Sequence, residues 1–326
     1  MTSVPATYKA YVYEAYGKTE DVIRLRDVQA EPLGPNDVRI RVHSAALNPI
    51  DYKLIGGLAA MITGGSPSAD QPYRIGFDAA GTAVEVGVDA ANEFQVGEAV
   101  YTSTPRTSTG SLAEYVTIDA QFVARKPSSL GFDEAAGVPS VALASYQSLT
   151  KYGKLQPGER ILVIGGSTSC GLFAIQYAKS IGAYVIATTS TKNVKLLESI
   201  GADRVIDYAR ERWGDVVPPH SVDVVFECSV EPTAWDGDAQ LVLKKESGRF
   251  VTLRPVQAPS SPKFGATHMS VFGQPSGEQL REITRLIDNG SVKSFVDSTF
   301  AFEQVVEAFK HLQTVRVVGK VVLQVQ

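Results

Sequence analysis
Residues 161–183, ILVIGGSTSCGLFAIQYAKSIGA, constrain this chain more than any other segment. A continuous apolar run enters a turn of glycines and small hydroxyl residues. The turn opens directly into an amphipathic stretch with Leu172, Ile175, Tyr177, Ala178 and Ile181 on one side. An apolar run of this kind reads as a strand buried on both faces, and the spacing after it reads as a helix packed on that strand. The pattern then repeats as strand YVIAT, helix KNVKLLESI, strand RVI, strand DVVFE, a helix near 234–244 and strand RFVTL. Both early helices stop at a glycine, Gly182 and Gly201, as left-handed caps require. Alternating βα units predict a doubly wound parallel sheet with right-handed crossovers and helices on both faces, so the fold class is α/β.

The rest of the chain reads differently. From Tyr8 to about Val123, short β-type runs (VRIRVHSAAL, GTAVEVG, EAVYTS, SLAEYVTI) are broken by Gly, Pro and Asn, which predicts a mostly antiparallel β domain. Two loops in it, 56–72 and 103–111, are rich in small polar residues and could border a site. The period changes after Ser128. The segment 254–265 reads as a linker, and the terminal strand GKVVLQVQ resumes the β pattern. The expected division is therefore 1–127, first part of the β domain; 128–262, the parallel-sheet domain; and 263–326, the return to the β domain.

Composition narrows the possible functions. With 326 residues, 44% of them hydrophobic, the chain can bury a large core. A net charge of -4 gives no basic surplus to offset phosphate repulsion, so no nucleic-acid partner is expected. No apolar run approaches the roughly 20 residues that span a bilayer, and the start lacks a basic-then-apolar leader, so no membrane association and a cytoplasmic location are expected. Two cysteines, Cys170 and Cys228, are too few for a disulfide framework or a four-thiolate zinc site. Cys228 reads as a dry thiol, and Cys170 would lie under a bound pyrophosphate rather than act in redox catalysis.

The glycine turn is the first candidate site. Gly165, Gly166 and Gly171 let backbone approach a pyrophosphate, and the helix N-terminus attracts its charge. Ser167, Thr168 and Ser169 stand where the usual fingerprint has its middle glycine, and their hydroxyls could donate to phosphate oxygens. A NAD site typically ends its second strand on Asp or Glu. Here the strand ends Thr188-Thr189-Ser190-Thr191-Lys192-Asn193, with no carboxylate. That favours NADPH, with Ser190 and Lys192 on the 2'-phosphate; the plainer reading is an N-cap serine and a solvated lysine.

From Tyr8 to Leu323 the chain resembles the zinc-independent medium-chain dehydrogenase/reductases, in the quinone oxidoreductase (zeta-crystallin-like) and enone reductase branch. The segments that carry the resemblance are VHSAALNPIDYK, PYRIGFDAAGTAVEVG, VGEAVY, GSLAEYVTID, AAGVP, the 165–171 loop, STKN, LLESIGADRVIDY, SGEQLREITRLIDNG and VGKVVL, in that order. The resemblance implies a GroES-like β domain built from both chain ends around a Rossmann domain, with cofactor and substrate in the cleft between them. It implies that Asn48 contacts the nicotinamide half of the cofactor and Lys53 the nicotinamide ribose. By the same resemblance Tyr208 lies near the adenosine 2'-phosphate, Phe272 and Lys320 reach the nicotinamide pocket and the phosphates, and Ser229 joins the cofactor contacts. Quinone oxidoreductases carry tyrosine at the position of Lys53 and threonine where Ala144 aligns, which moves the expected substrate from quinones toward enones. A homodimer is typical of the family, and the MSVFGQ segment is a candidate for pairing between subunits.

No metal is expected. The positions that align with the first two catalytic zinc ligands of related alcohol dehydrogenases hold Asn48 and Phe77, the cysteine lobe is missing, and His43, His220, His268 and His311 lack ligand spacing. No GxSxG elbow supports a serine hydrolase. The expected reaction is direct hydride transfer from NADPH to a quinone, with Tyr52 and Lys53 as the candidate catalytic donors that meet the developing charge. The alternatives are an enone or alkenal double-bond reductase, a trans-acting enoyl reductase, and a non-catalytic NADPH-binding, crystallin-like protein.

Overall fold
Alternating apolar and polar residues make the first part of the chain a succession of strands: β1 (Thr7–Tyr13), β2 (Ile23–Gln29), β3 (Asp37–Leu47), β4 (Tyr73–Arg74), β5 (Asp78–Val86), β6 (Ala99–Ser103), β7 (Tyr115–Asp119) and β8 (Val123–Arg125). The middle of the chain adds β9 (Arg160–Ile164), β10 (Tyr184–Thr189), β11 (Arg204–Asp207), β12 (Val224–Glu227), β13 (Arg249–Thr252) and β14 (Thr267–Ser270), and the end adds β15 (Val296–Ala301) and β16 (Lys320–Gln324). This computed structural model describes residues 4–60, 65–105, 110–229, 231–254 and 259–326. Parts of both polar loops, 61–64 and 106–109, and of the linker, 255–258, lie outside the described residues.

Two units emerge. One comprises Met1–Ser140, Pro275–Asp288 and Ser294–Gln326, the other Val141–Gln274 and Asn289–Lys293. The first is the β unit. In it β1 pairs antiparallel with β2 and β4, and a seven-stranded sheet runs β15-β16-β3-β5-β6-β8 with β7 added on β3. All pairs of the larger sheet are antiparallel except β15 with β16. The returning strand β16 pairs with β3, Val321 opposite Leu47, so the C-terminal segment does close the β unit. Ile40, Val42, Leu47, Ile55, Phe94, Phe309 and Leu323 fill its core.

The second unit is a six-stranded, wholly parallel sheet in the order β11-β10-β9-β12-β13-β14. That order, with its reversal beside the first strand, is the doubly wound arrangement predicted from the sequence. Gly182 (φ 83°) and Gly201 (φ 104°) take the left-handed conformation that ends their helices.

The boundaries differ from those expected at 128 and 263. The chain enters the second unit at Val141, inside the helix Pro139–Gln147, and leaves it after Gln274. The segment 254–265 is not a linker out of the unit, because β14 follows it as the sixth strand, pairing Thr267–Ser270 with Arg249–Thr252. Its sequence, THMS, hides this: an edge strand with only one side covered needs no apolar run.

Candidate functional site
In the parallel-sheet unit, the turn after β9 is tighter than side chains allow. Gly165 has φ 93°, and a Cβ there would lie 2.7 Å from the Cβ of Ser229. At Gly171 a Cβ would lie 2.3 Å from the carbonyl oxygen of Gly165, where rigid backbone cannot yield. Thr188 anchors the turn from β10: its hydroxyl accepts the Gly165 N–H at 3.0 Å and its carbonyl the Gly166 N–H at 2.8 Å. The helix Ser169–Ser180 begins at this turn and aims its positive end there. Thr168 is its N-cap. The Thr168 hydroxyl accepts the Gly171 N–H at 3.0 Å and donates to the Gly165 carbonyl at 2.8 Å. Of the three hydroxyls suggested as phosphate donors, this one is therefore spent on closing the loop. The Cys228 thiol lies 3.4 Å from it and donates to the Ile164 carbonyl at 3.3 Å. Burial pushes that thiol well above its usual range.

Beyond β10, Ser190 is half-buried and Lys192 exposed, and both lie in the turn that opens the helix Val194–Ser199. Tyr208, 62% exposed, follows β11, and its N–H donates to the Thr189 carbonyl at 3.0 Å. The buried Thr189 hydroxyl has no partner among the described residues. A glycine turn packed too tightly for side chains, a helix N-terminus and an unsatisfied buried hydroxyl together suit the diphosphate and adenosine of a dinucleotide. Ser229 donates to Glu227 Oε1 through both its N–H (2.9 Å) and its hydroxyl (2.8 Å). Phe272 is 42% exposed just past β14, in a segment fixed by paired Gln147–Gln274 hydrogen bonds of 2.7 and 2.9 Å.

In the β unit, the end of β3 meets the starts of β5 and β16, and three polar side chains converge there in a dry interior. Lys320, only 3% exposed, donates to Asn48 Oδ1 at 2.6 Å and to Asp78 Oδ2 at 3.0 Å. Asn48 Nδ2 donates to the same Asp78 oxygen at 2.9 Å, and the Ser140 N–H donates to the other at 2.7 Å. The expectation that Lys320 reaches the cofactor phosphates meets this geometry directly: its ammonium is committed to Asn48 and Asp78.

Asn48 also starts the helix Pro49–Lys53, where the Asp51 carboxyl accepts the Asn48 N–H at 2.7 Å. Burial pushes Asp51 up to about 7, against the opposing pull of that hydrogen bond and of Lys320. Tyr52 is half-buried against the β-unit core and its phenol is pushed up by burial, so it stays protonated at neutral pH. Lys53 is exposed at the helix end.

The sequence reading missed Asp78 and Asp51. An acid opening the small-residue strand DAAG, and an acid three positions after Asn48, were the available signals. The histidines have local partners instead of a common centre. His43 stacks on Phe132, His268 on Phe250, His311 bonds Asp297 at 2.7 Å, and His220 bonds the Leu243 carbonyl at 2.9 Å. Among the described residues, no group of three or more His, Cys, Asp or Glu is disposed to hold a metal.

A parallel sheet in this strand order, with a glycine cradle at the head of its first helix, defines a dinucleotide-binding protein of the Rossmann class, here carrying a β domain assembled from both ends of the chain. Residues 34–128 match the family described as alcohol dehydrogenase GroES-like domain, and residues 200–323 the family described as zinc-binding dehydrogenase. A 2-methylene-furan-3-one reductase from Solanum lycopersicum is 35% identical over 98% of this chain and 80% of its own. An NADPH-dependent alkenal/one oxidoreductase, chloroplastic, from Arabidopsis thaliana is 32% identical over 98% of this chain and 80% of its own. The solved quinone oxidoreductase from Coxiella burnetii superposes with a TM-score of 0.84 at 26% identity, covering 98% of this chain and all of that one. The chain belongs to the medium-chain dehydrogenase/reductase superfamily, in the branch of quinone oxidoreductases and enone reductases.

Proposed function
We propose that the protein is an NADPH-dependent reductase of electron-poor conjugated carbonyl compounds that works without a metal, with α,β-unsaturated ketones or aldehydes ahead of quinones. The observation that carries it is the end of β10, the strand beside the glycine cradle: residues 188–193, which run through Ser190 and Lys192, include no carboxylate of their own. A carboxylate there would repel a 2'-phosphate, whereas a hydroxyl and an ammonium satisfy it. Enones stand first because Lys53 replaces the tyrosine of quinone oxidoreductases. The Solanum lycopersicum and Arabidopsis thaliana relatives, 35% and 32% identical, are in addition named for enone or alkenal substrates. The quinone reading keeps the support of the Coxiella burnetii neighbour, which is named a quinone oxidoreductase.

When bound, the nicotinamide supplies the reducing equivalents. The protein's share is to hold, orient and stabilise. In this reading Gly165, Gly166, Ser167, Ser169, Cys170 and Gly171 receive the pyrophosphate, with Thr168 shaping the loop, while Ser190, Lys192 and Tyr208 receive the adenosine phosphate. Ser229, Phe272, Asn48 and Lys53 meet the nicotinamide half. Lys320 contributes by fixing the Asn48 carboxamide, both ends of which are already bonded. The charge that develops on the substrate oxygen needs hydrogen-bond donors, and the protonated Tyr52 phenol and the Lys53 ammonium are the groups in this helix able to donate.

The edge strand β14, with exposed Met269 (45%), is the surface on which we propose a homodimer forms. No described helix is long and apolar enough to cross a membrane, and a cytosolic location belongs to this proposal. The cofactor choice is tested by titrating NADPH and NADH against the protein and its Lys192→Glu variant. The reading expects NADPH to bind at least about tenfold more tightly, on the order of one charge-assisted contact, and the variant to lose most of that margin. Equal affinities in the starting protein would overturn it.

A further inference from the structure
The strand beside β10 ends on an acid. Asp207 closes β11 opposite Thr189, the last residue of β10. Its Oδ2 accepts the Thr191 hydroxyl at 2.6 Å and faces the Arg210 Nε at 3.2 Å, and its Oδ1 accepts the Ala209 N–H at 3.1 Å. Thr191 lies between Ser190 and Lys192, and Tyr208 follows Asp207 directly. A full negative charge is thus tied to the turn that carries the proposed 2'-phosphate contacts. It does not escape by protonation, because the Thr191 hydroxyl, followed by the Ala209 N–H and Arg210, holds the carboxyl below its usual range.

An uncompensated carboxylate at this spot would favour ribose hydroxyls and oppose a phosphate. Compensation comes from Arg210, three residues on, whose side chain is 74% exposed and whose ion pair is with Asp207. We propose that Arg210 is a specificity-determining residue of the nucleotide site, which cancels the charge of Asp207 so that the turn accepts the 2'-phosphate, and which acts through Asp207 without touching the phosphate itself. The inference rests on the NADPH reading and adds a second way of losing NADPH preference, by unmasking an acid already present. It also bears on how a chain with Asp at the end of its third sheet strand can select NADPH: selectivity belongs to the balance of the turn and not to the end of β10 alone.

A double-mutant cycle tests it. Dissociation constants for NADPH and NADH are measured by quenching of protein fluorescence at low ionic strength, for the starting protein, Arg210→Ala, Asp207→Asn and the double variant. Arg210→Ala is expected to weaken NADPH by about three- to tenfold and to leave NADH within about twofold, a range suited to one solvent-screened charge. In the Asp207→Asn background the same change is expected to cost NADPH less than about twofold. Arg210→Lys, which keeps the charge, restores NADPH binding. Because Arg210 is exposed, its variants report binding rather than folding, and the melting temperature of Asp207→Asn checks that the turn survives.

An equal loss of NADPH affinity in both backgrounds would show Arg210 on the phosphate and overturn the indirect role. Unchanged NADPH affinity in Arg210→Ala would overturn the proposal altogether. Those failures leave NADPH preference intact in the starting protein. Equal binding of NADH and NADPH by the starting protein would instead remove the reading beneath it, and the inference with it.

Discussion

At the scale of single residues, the buried polar groups of the β unit carry the sharpest expectations. Asp51 is fully enclosed and raised to about 7 by burial, so the folded state holds its proton over a range where the unfolded chain has released it. Its contribution to stability is therefore present at low pH and lost as pH rises through that value. Asp51→Asn keeps an acceptor for the Asn48 N–H but cannot ionise. Melting temperatures measured from about pH 5 to about pH 8 should fall more steeply for the starting protein than for this variant; parallel curves would count against the assignment. The Lys320–Asp78 pair behaves differently, because removing one partner strands the other. Lys320→Met is expected to cost about 3–5 kcal/mol in denaturant unfolding, and adding Asp78→Asn to recover most of it. If the single variant unfolds like the starting protein, the ammonium is not balancing that carboxylate. These residues also mark where the sequence was hard to read. Asp78 and Lys320 meet across 242 positions of chain, and no local periodicity announces such a contact.

At the scale of elements, the strand, turn and helix of 160–180 form where apolar run, glycines and helical spacing predict them, because the constraint is local and steric. A Cβ at Gly171 collides with backbone wherever the rest of the chain goes. What local pattern could not reveal was the partner of each polar group. The Thr168 hydroxyl, readable as a phosphate donor, is turned inward to the Gly165 carbonyl, a choice set by the N-cap geometry of the helix. The short strand β14 was missed for a related reason: three of its four residues are exposed at the edge of the sheet, so it shows no apolar signature. That edge supports a prediction. The inward N–H groups of Thr267 and Val271 bond Gly248 and Thr252, so the period of two leaves those of His268 and Ser270 pointing outward, able to pair with a second copy. Met269→Arg places a charge on the exposed edge and should shift the protein from dimer to monomer in sedimentation velocity without lowering its melting temperature. A starting protein that sediments as a monomer would contradict the proposed pairing.

At the scale of the whole molecule, the order of patterns along the chain was the most legible property. A β-rich opening, a run of βα units and a β-rich ending correspond to a β unit built from both chain ends and a parallel-sheet unit inserted in it. The borders were displaced by about a dozen residues, the first because the packing changes within the helix Pro139–Gln147 and the second because β14 still belongs to the parallel sheet. Family membership adds the class of chemistry. Whether the protein is an NADPH-dependent enone reductase is decided by following NADPH consumption, through its near-ultraviolet absorbance, with purified protein and a panel of alkenals, cyclic and linear enones, and 1,2- and 1,4-quinones, with NADH in parallel. Steady oxidation of NADPH with at least one conjugated carbonyl is expected, with enones faster than quinones and markedly slower turnover with NADH. Tight NADPH binding with no oxidation by any member of the panel would contradict it and leave a binding protein in place of a reductase.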